Sequence, residues 1–299
     1  MAGFKTFWIG RVVHPVQAGA TWSLYALFGL MPLDMASWVG SLLGRTIGPR
    51  LRVTRTARRN LKRVFPHLTE SDIDRIVMAM WDNLGRTAGE HPHLARFDPY
   101  KPNSRVEVIG GEHIDALRDD GTTGLVFGGH IGNWEIGPLA GIKRGLNAHL
   151  VYRRANNPLF DAIVQKGRAV LGGDLYPKGS EGARRMLRAM VHGDHMAMLV
   201  DQKMNDGIAV PFLGIEAMTA PAVAELAYRF NCPVVPARVE RLGGARFRVT
   251  FERPLVKPDT GDHQANVKLL MAAINDCLGA WIAESPEQWL WVHNRWPAE

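Results

Sequence analysis

The chain has 299 residues, 46% of them hydrophobic, with a formal net charge of +7 and a pI of about 9.6. That length and apolar content suit one large α/β domain or two small ones with a sizeable core, and there is no internal repeat or low-complexity segment to indicate a solenoid or a disordered chain. Two cysteines without metal-type spacing, Cys232 and Cys277, read as core thiols of a reducing compartment rather than a disulfide framework, and the basic balance points to an acidic partner: nucleic acid, an anionic membrane surface or an acidic carrier protein.

The N-terminus mixes apolar and basic residues up to His14, and from Pro15 to Leu33 there is no charge at all. A second apolar piece, Met35 to Leu43, follows Asp34. The region reads as a membrane anchor, either spanning the bilayer or lying in its interface, with a buried helical hairpin as the rival reading. From Arg45 to Arg63 there are eight arginines and lysines and no acid, the kind of flank that favours the cytoplasmic side of an apolar segment and attracts anionic lipid. A nucleic-acid patch is the weaker reading of this run, because aromatic interleaving is missing. The division expected is therefore residues 1–48 as a membrane-associated helical segment and 49–299 as a cytoplasmic α/β domain.

Thr69 to Gly89 has the apolar spacing of a helix, with Thr69 as cap and Asp72 at the capping-box position. Beyond Arg105 short apolar runs alternate with helical patterns. The runs are Val106–Ile109, Leu125–Phe127, His149–Tyr152, Met196–Val200, Val234–Val239 and Phe247–Phe251. The helical patterns lie at about 111–119, 133–144, 158–171, 180–192, 219–230 and 263–284. Such alternation predicts a largely parallel central sheet flanked by helices. The last two strands, around Gly243-Gly244, look like an antiparallel hairpin at one edge.

Polar residues fall where strands should end. After Leu125–Phe127 come Gly128, Gly129 and His130, with Glu135 expected early in the next helix. An imidazole at a strand's carboxyl end, near its ordinary pKa of about 6.5, is suited to general-base work, and a carboxylate on its other ring nitrogen would orient it. Arg153 and Arg154 follow the strand ending at Tyr152, where a guanidinium fork could grip phosphate or carboxylate. Asp201 and Gln202 follow Val200, Asp201 being either a cleft group or a structural ion-pair partner. Met204 to Thr219 reads as a long loop whose Phe212 and Leu213 line an apolar channel or plug the core, with Thr219 and Pro221 opening a helix. The Trp-rich end, Pro286 to Trp296, suits a membrane interface or a packed site wall. The His192-Asp194-His195 spacing matches no established zinc signature, and without a nucleophile elbow or a P-loop a serine hydrolase or P-loop enzyme has no support.

The uncharged stretch near the N-terminus, GGHIGNWE at 128–135, Tyr152-Arg153, Asp201-Gln202, PFLG at 211–214 with Thr219 after it, Val234 to Pro236 and PEQWLW at 286–291 occur in one order. In that order they resemble the late acyltransferases of lipid A biosynthesis, the lauroyl/myristoyl type, over nearly the whole chain. The resemblance implies a glycerolipid-acyltransferase-like α/β fold. It also implies transfer of a fatty acyl chain from acyl carrier protein to a hydroxyl of a lipid A precursor at the cytoplasmic face of the inner membrane, with no further cofactor and no metal. His130 matches the family's catalytic base and Glu135 its partner acid, while Arg153, Arg168, Asp201 and Gln202 match substrate-binding positions. The family often has Pro where this chain has Arg154. A sister enzyme acylating another glycolipid, such as a phosphatidylinositol mannoside, is the nearest alternative, and a non-catalytic membrane or nucleic-acid binder the most distant.

Overall fold

A computed structural model of the chain describes residues 13–155 and 157–296; residues 1–12, part of the mixed apolar and basic stretch, lie outside it. Helix α1, His14–Leu30, stops before Pro32, since a residue preceding proline favours the extended backbone found at Met31. Helix α2, Leu33–Ile47, then runs against α4, Glu70–Glu90, with α3, Thr54–Val64, between them in sequence. The Thr69–Asp72 capping box opens α4 as the sequence predicts. The α2–α4 contact is built on small residues. A side chain on Gly40 or Gly44 would run into the backbone of α4 at Gly85 and Trp81, and one on Gly89 into that of Ala36. Among the described residues no helix is long and apolar enough to cross a membrane.

The body is a seven-stranded sheet. In chain order its strands are β1, Val106–Ile109; β2, Leu125–Gly128; β3, Ala148–Tyr152; β4, Leu175–Pro177; β5, His195–Leu199; β8, Val234–Gly243; and β9, Arg246–Phe251; β6, Lys203–Phe212, and β7, Ile215–Thr219, form a separate hairpin. The spatial order is β1-β9-β8-β2-β5-β3-β4, and every neighbouring pair is parallel except β8–β9. The connecting helices are α5, Gly111–Asp119; α6, Ile136–Lys143; α7, Pro158–Arg168; α8, Ser180–Val191; α9, Ala222–Arg229; and α10, His263–Glu284. The expected α/β class with a mostly parallel sheet is therefore the one found. Successive residues of a strand face opposite sides. Leu125, Phe127, Met196 and Val234 pack beneath α4 and α8 to α10, while Val126, Leu150, Val235 and Val249 pack against α5 and α6.

Four local expectations are corrected. The β8–β9 hairpin is internal, because β1 adds in parallel beyond β9. The stretch expected as a long loop after Met204 is the β6–β7 hairpin, closed by Leu213 and Gly214, both at positive φ, between the paired Phe212 and Ile215. Thr219 ends β7 instead of capping a helix, and its hydroxyl accepts from buried Arg295. The helix after β2 begins only at Ile136, because Gly132, at positive φ and pressed on the Val239 carbonyl, turns the chain first.

Candidate active site

His130, Arg153, Lys178 and Asp201 all lie just past the carboxyl ends of parallel strands β2, β3, β4 and β5, the side on which an open α/β sheet presents its ligand groups. A cavity of about 540 Å³ opens there, within the usual size for a small-molecule site. Its apolar wall comes from the sheet and α6: Leu150, Val151, Met198, Val239, Pro138 and the nearby Trp134. Its polar groups are His130, Glu135, Arg153, Arg154, Arg168, Lys178, Gln202 and His293.

The carboxylate on His130 is Asp201. Its Oδ1 lies 2.7 Å from His130 Nδ1, and its Oδ2 accepts from the His130 backbone N–H at 2.9 Å and from Trp289 Nε1 at 2.7 Å. Sheet register explains the meeting. Gly128 pairs with Leu199 across β2 and β5, so the residues two steps beyond each, His130 and Asp201, emerge side by side. Asp201 has no exposure to solvent. Burial pushes its carboxyl up, but the His130 charge and these three donors outweigh burial and leave it well below the usual carboxylate range.

Glu135, expected to orient His130, does not sit on the ring. Arg168 of α7 holds it through Nε at 2.8 Å and Nη2 at 2.5 Å, and Trp134 Nε1 donates to it at 3.1 Å. The turn at Gly132 takes Glu135 off any helical face shared with His130. A carboxylate this deeply buried requires a cation, and the guanidinium fork supplies one. Burial raises the Glu135 carboxyl, but Arg168 reverses the effect and lowers it below its ordinary value. Arg168 is therefore engaged by protein, whereas Arg153 and Arg154 stand exposed at the cavity mouth beside Lys178, which follows the Tyr152–Pro177 pairing of β3 and β4.

The other ring nitrogen of His130 faces Gln202. The side-chain amide nitrogen is 3.3 Å from His130 Nε2 and 3.1 Å from His293 Nε2. Burial, reinforced by the neighbouring His130, pushes the His293 ring down to about 4, so it is neutral at pH 7 and presents a lone pair. The Trp-rich end is core, and His293 is its one residue among the cavity lining. Trp289, Trp291 and Trp296 are fully buried, and Phe212 packs on Trp289 and Trp296 away from the cavity. Neither 211–214 nor the C-terminal tryptophans line the cavity, so the apolar channel expected of Phe212 and Leu213 is replaced by the sheet-and-α6 wall.

The model of the bacterial lipid A biosynthesis acyltransferases matches residues 11–298. The chain belongs to this family. It is similar to the lipid A biosynthesis acyltransferase of Haemophilus influenzae, at 23% identity over 89% of this chain and 83% of the relative. It is also similar to the lauroyltransferase of Escherichia coli, at 24% over 93% and 89%, and to the palmitoleoyltransferase of the same organism, at 23% over 89% and 86%. The protein is thus an acyltransferase of lipid A assembly. In this acyltransferase all six residues singled out from sequence (His130, Glu135, Arg153, Arg168, Asp201 and Gln202) fall at one site, but as three groups: His130 with Asp201 and Gln202, Glu135 with Arg168, and Arg153 at the rim. Sequence reading passed over His293 and Lys178. The first stood in a stretch that its tryptophans dominated, and the second followed a three-residue strand too short to recognise.

Proposed function

We propose that this enzyme transfers a fatty acyl chain from the thioester of acyl carrier protein to a hydroxyl of a lipid A precursor, with His130 as general base and Asp201 as its orienting carboxylate. The observation that carries the reading is the His130–Asp201 pair at the head of the cavity. With Nδ1–H donated to Asp201, Nε2 keeps its lone pair toward the cavity. An acceptor hydroxyl is a poor nucleophile until a base takes its proton as it attacks. The imidazolium so formed lies against a buried carboxylate, where a charge pair is worth more than in water. No covalent acyl-enzyme is required. Arg153, Arg154 and Lys178 at the mouth supply charge for the acceptor's phosphates, and Glu135–Arg168 is the buried brace that holds α7 against the site.

The same reading seats the protein on the cytoplasmic face of the inner membrane through helices α1 and α2. Trp22, Leu27, Leu30, Met35, Trp38 and Leu42 are exposed there, apolar groups that favour burial in an interface. The acidic carrier and anionic lipid would both be drawn by a net charge of +7.

The test is acyl transfer from labelled acyl carrier protein to a tetra-acylated precursor in detergent. His130→Ala and Asp201→Asn should each lower kcat by about a hundredfold or more in folded protein. A near-wild-type Asp201→Asn beside an inactive Glu135→Gln would return the orienting role to Glu135. Transfer to a different glycolipid that still needs His130 would keep the chemistry and change the acceptor.

A further inference from the structure

When a hydroxyl adds to a thioester, the carbonyl oxygen becomes anionic and needs a donor. Three backbone N–H groups at the base are already engaged. The His130 N–H donates to Asp201, that of Ile131 to the Gly129 carbonyl and that of Gly132 to the Gln288 carbonyl. The Arg168 guanidinium is turned to Glu135 through Nε and Nη2. The group that faces the reactive nitrogen is the Gln202 amide, 3.3 Å from His130 Nε2. With His130 Nδ1–H donating to the Asp201 carboxylate, Nε2 is an acceptor, and the Gln202 atom facing it is the NH2 donor, not the oxygen. That NH2 has two hydrogens. One meets His293 Nε2, and the other meets His130 until a hydroxyl takes its place.

We propose that Gln202 is the oxyanion donor of acyl transfer and that His293 is the positioning residue that holds its amide, an inference that rests on His130 acting as the base. The step balances as follows. The acceptor O–H gives its proton to His130 Nε2 while its oxygen bonds to the thioester carbon, and the carbonyl π pair moves onto the carbonyl oxygen. That oxygen accepts from the Gln202 N–H freed from His130. The tetrahedral centre then collapses, the C–S bond breaks, and the departing sulfur takes the proton from His130 Nε2 as thiol. An oxygen hydrogen-bonded to Nε2 sits about 2.8 Å away, and the attacked carbonyl is one bond further, within reach of an amide anchored beside the same nitrogen. His293 suits the anchoring role because it is neutral and, at pH 7, cannot repel the amide hydrogens. Its place is fixed from behind, where Asn60 Nδ2 donates to the His293 carbonyl at 2.7 Å.

The experiment is steady-state kinetics of the full chain with acylated carrier protein and a tetra-acylated lipid A precursor. Wild type would run beside Gln202→Ala, Gln202→Glu, His293→Ala, His293→Gln and His130→Ala, with thermal unfolding of each. Gln202→Ala should lower kcat by about 10²–10³-fold with little change in either KM, as loss of an oxyanion donor does. Gln202→Glu, which keeps the shape and removes the donor, should lose at least as much. His293→Ala should lower kcat by less, and His293→Gln, which restores an acceptor, should recover most of that loss. A raised acceptor KM at unchanged kcat, or wild-type kcat in both Gln202 variants, would overturn the proposal. If His130→Ala is inactive while Gln202→Ala is not, only this inference fails; if His130→Ala retains activity, the base assignment itself fails.

Discussion

His130 is aimed by a carboxylate that follows it by 71 residues in sequence, while the carboxylate five residues on is taken by an arginine. Two predictions belong at this scale. Breaking a buried ion pair leaves an uncompensated charge, so Arg168→Ala should destabilise the fold by about 3–5 kcal/mol in urea unfolding, and Glu135→Gln in the same background should relieve part of that loss. The second concerns pH. His293 has a folded pKa of about 4 against an unfolded value of about 6.5, so the unfolded state binds more protons between them. The neutral ring therefore contributes no penalty above about pH 6.5, and stability falls as pH drops from there toward 4. Melting curves of wild type should show this acid loss, and His293→Gln should show less of it. Asp201 has linkage of the same sign, its folded carboxyl also lying below the unfolded one, but at lower pH. Its contribution is complete above the ordinary carboxylate range and disappears only in stronger acid.

At the scale of elements, the helices were legible wherever the local pattern was complete. The capping box opening α4 and the apolar spacing within it marked that helix, and the 263–284 pattern marked α10. The β6–β7 hairpin was missed because its turn places Leu213, a residue that rarely takes positive φ, where Asn or Asp would announce a hairpin. The contact of α2 with α4 had no signal in hydrophobicity, because it is made by glycines whose value is their lack of a side chain. Gly85→Ala would drive a methyl into the Gly40 carbonyl and should lower stability by about 1–3 kcal/mol, read as a drop in melting temperature. Gly19, with open space around it, is the control and should show no such loss.

For the whole molecule, the distribution of apolar surface carries the prediction. The exposed tryptophans of helices α1 and α2, Trp22 and Trp38, are 59% and 54% accessible, whereas Trp289, Trp291 and Trp296 are fully buried. Both groups were candidates for a membrane interface, and tertiary packing separates them. Replacing Trp22 and Trp38 together by Ser should weaken co-sedimentation with anionic phospholipid vesicles while leaving the fold intact. Added salt should weaken the binding of wild type further, through screening of its basic charge. Binding unchanged by the double substitution would remove these helices from the membrane contact.

By itself the sequence determined the class of the fold and the strands that lead to His130 and Asp201, and its resemblance to the late acyltransferases singled out the residues proposed for acyl transfer. The fold class and the strands follow from period and local motif, which are short-range properties of a chain. Which carboxylate meets His130 was decided by strand order and register: β2 lies beside β5 only in the assembled sheet, and the pairing of Gly128 with Leu199 sets Asp201 next to the base. The same holds for His293, brought to Gln202 across 91 residues by the folding of the C-terminal tail into the core. Contacts of that separation depend on how the layers stack, and no local pattern of residues encodes the stacking.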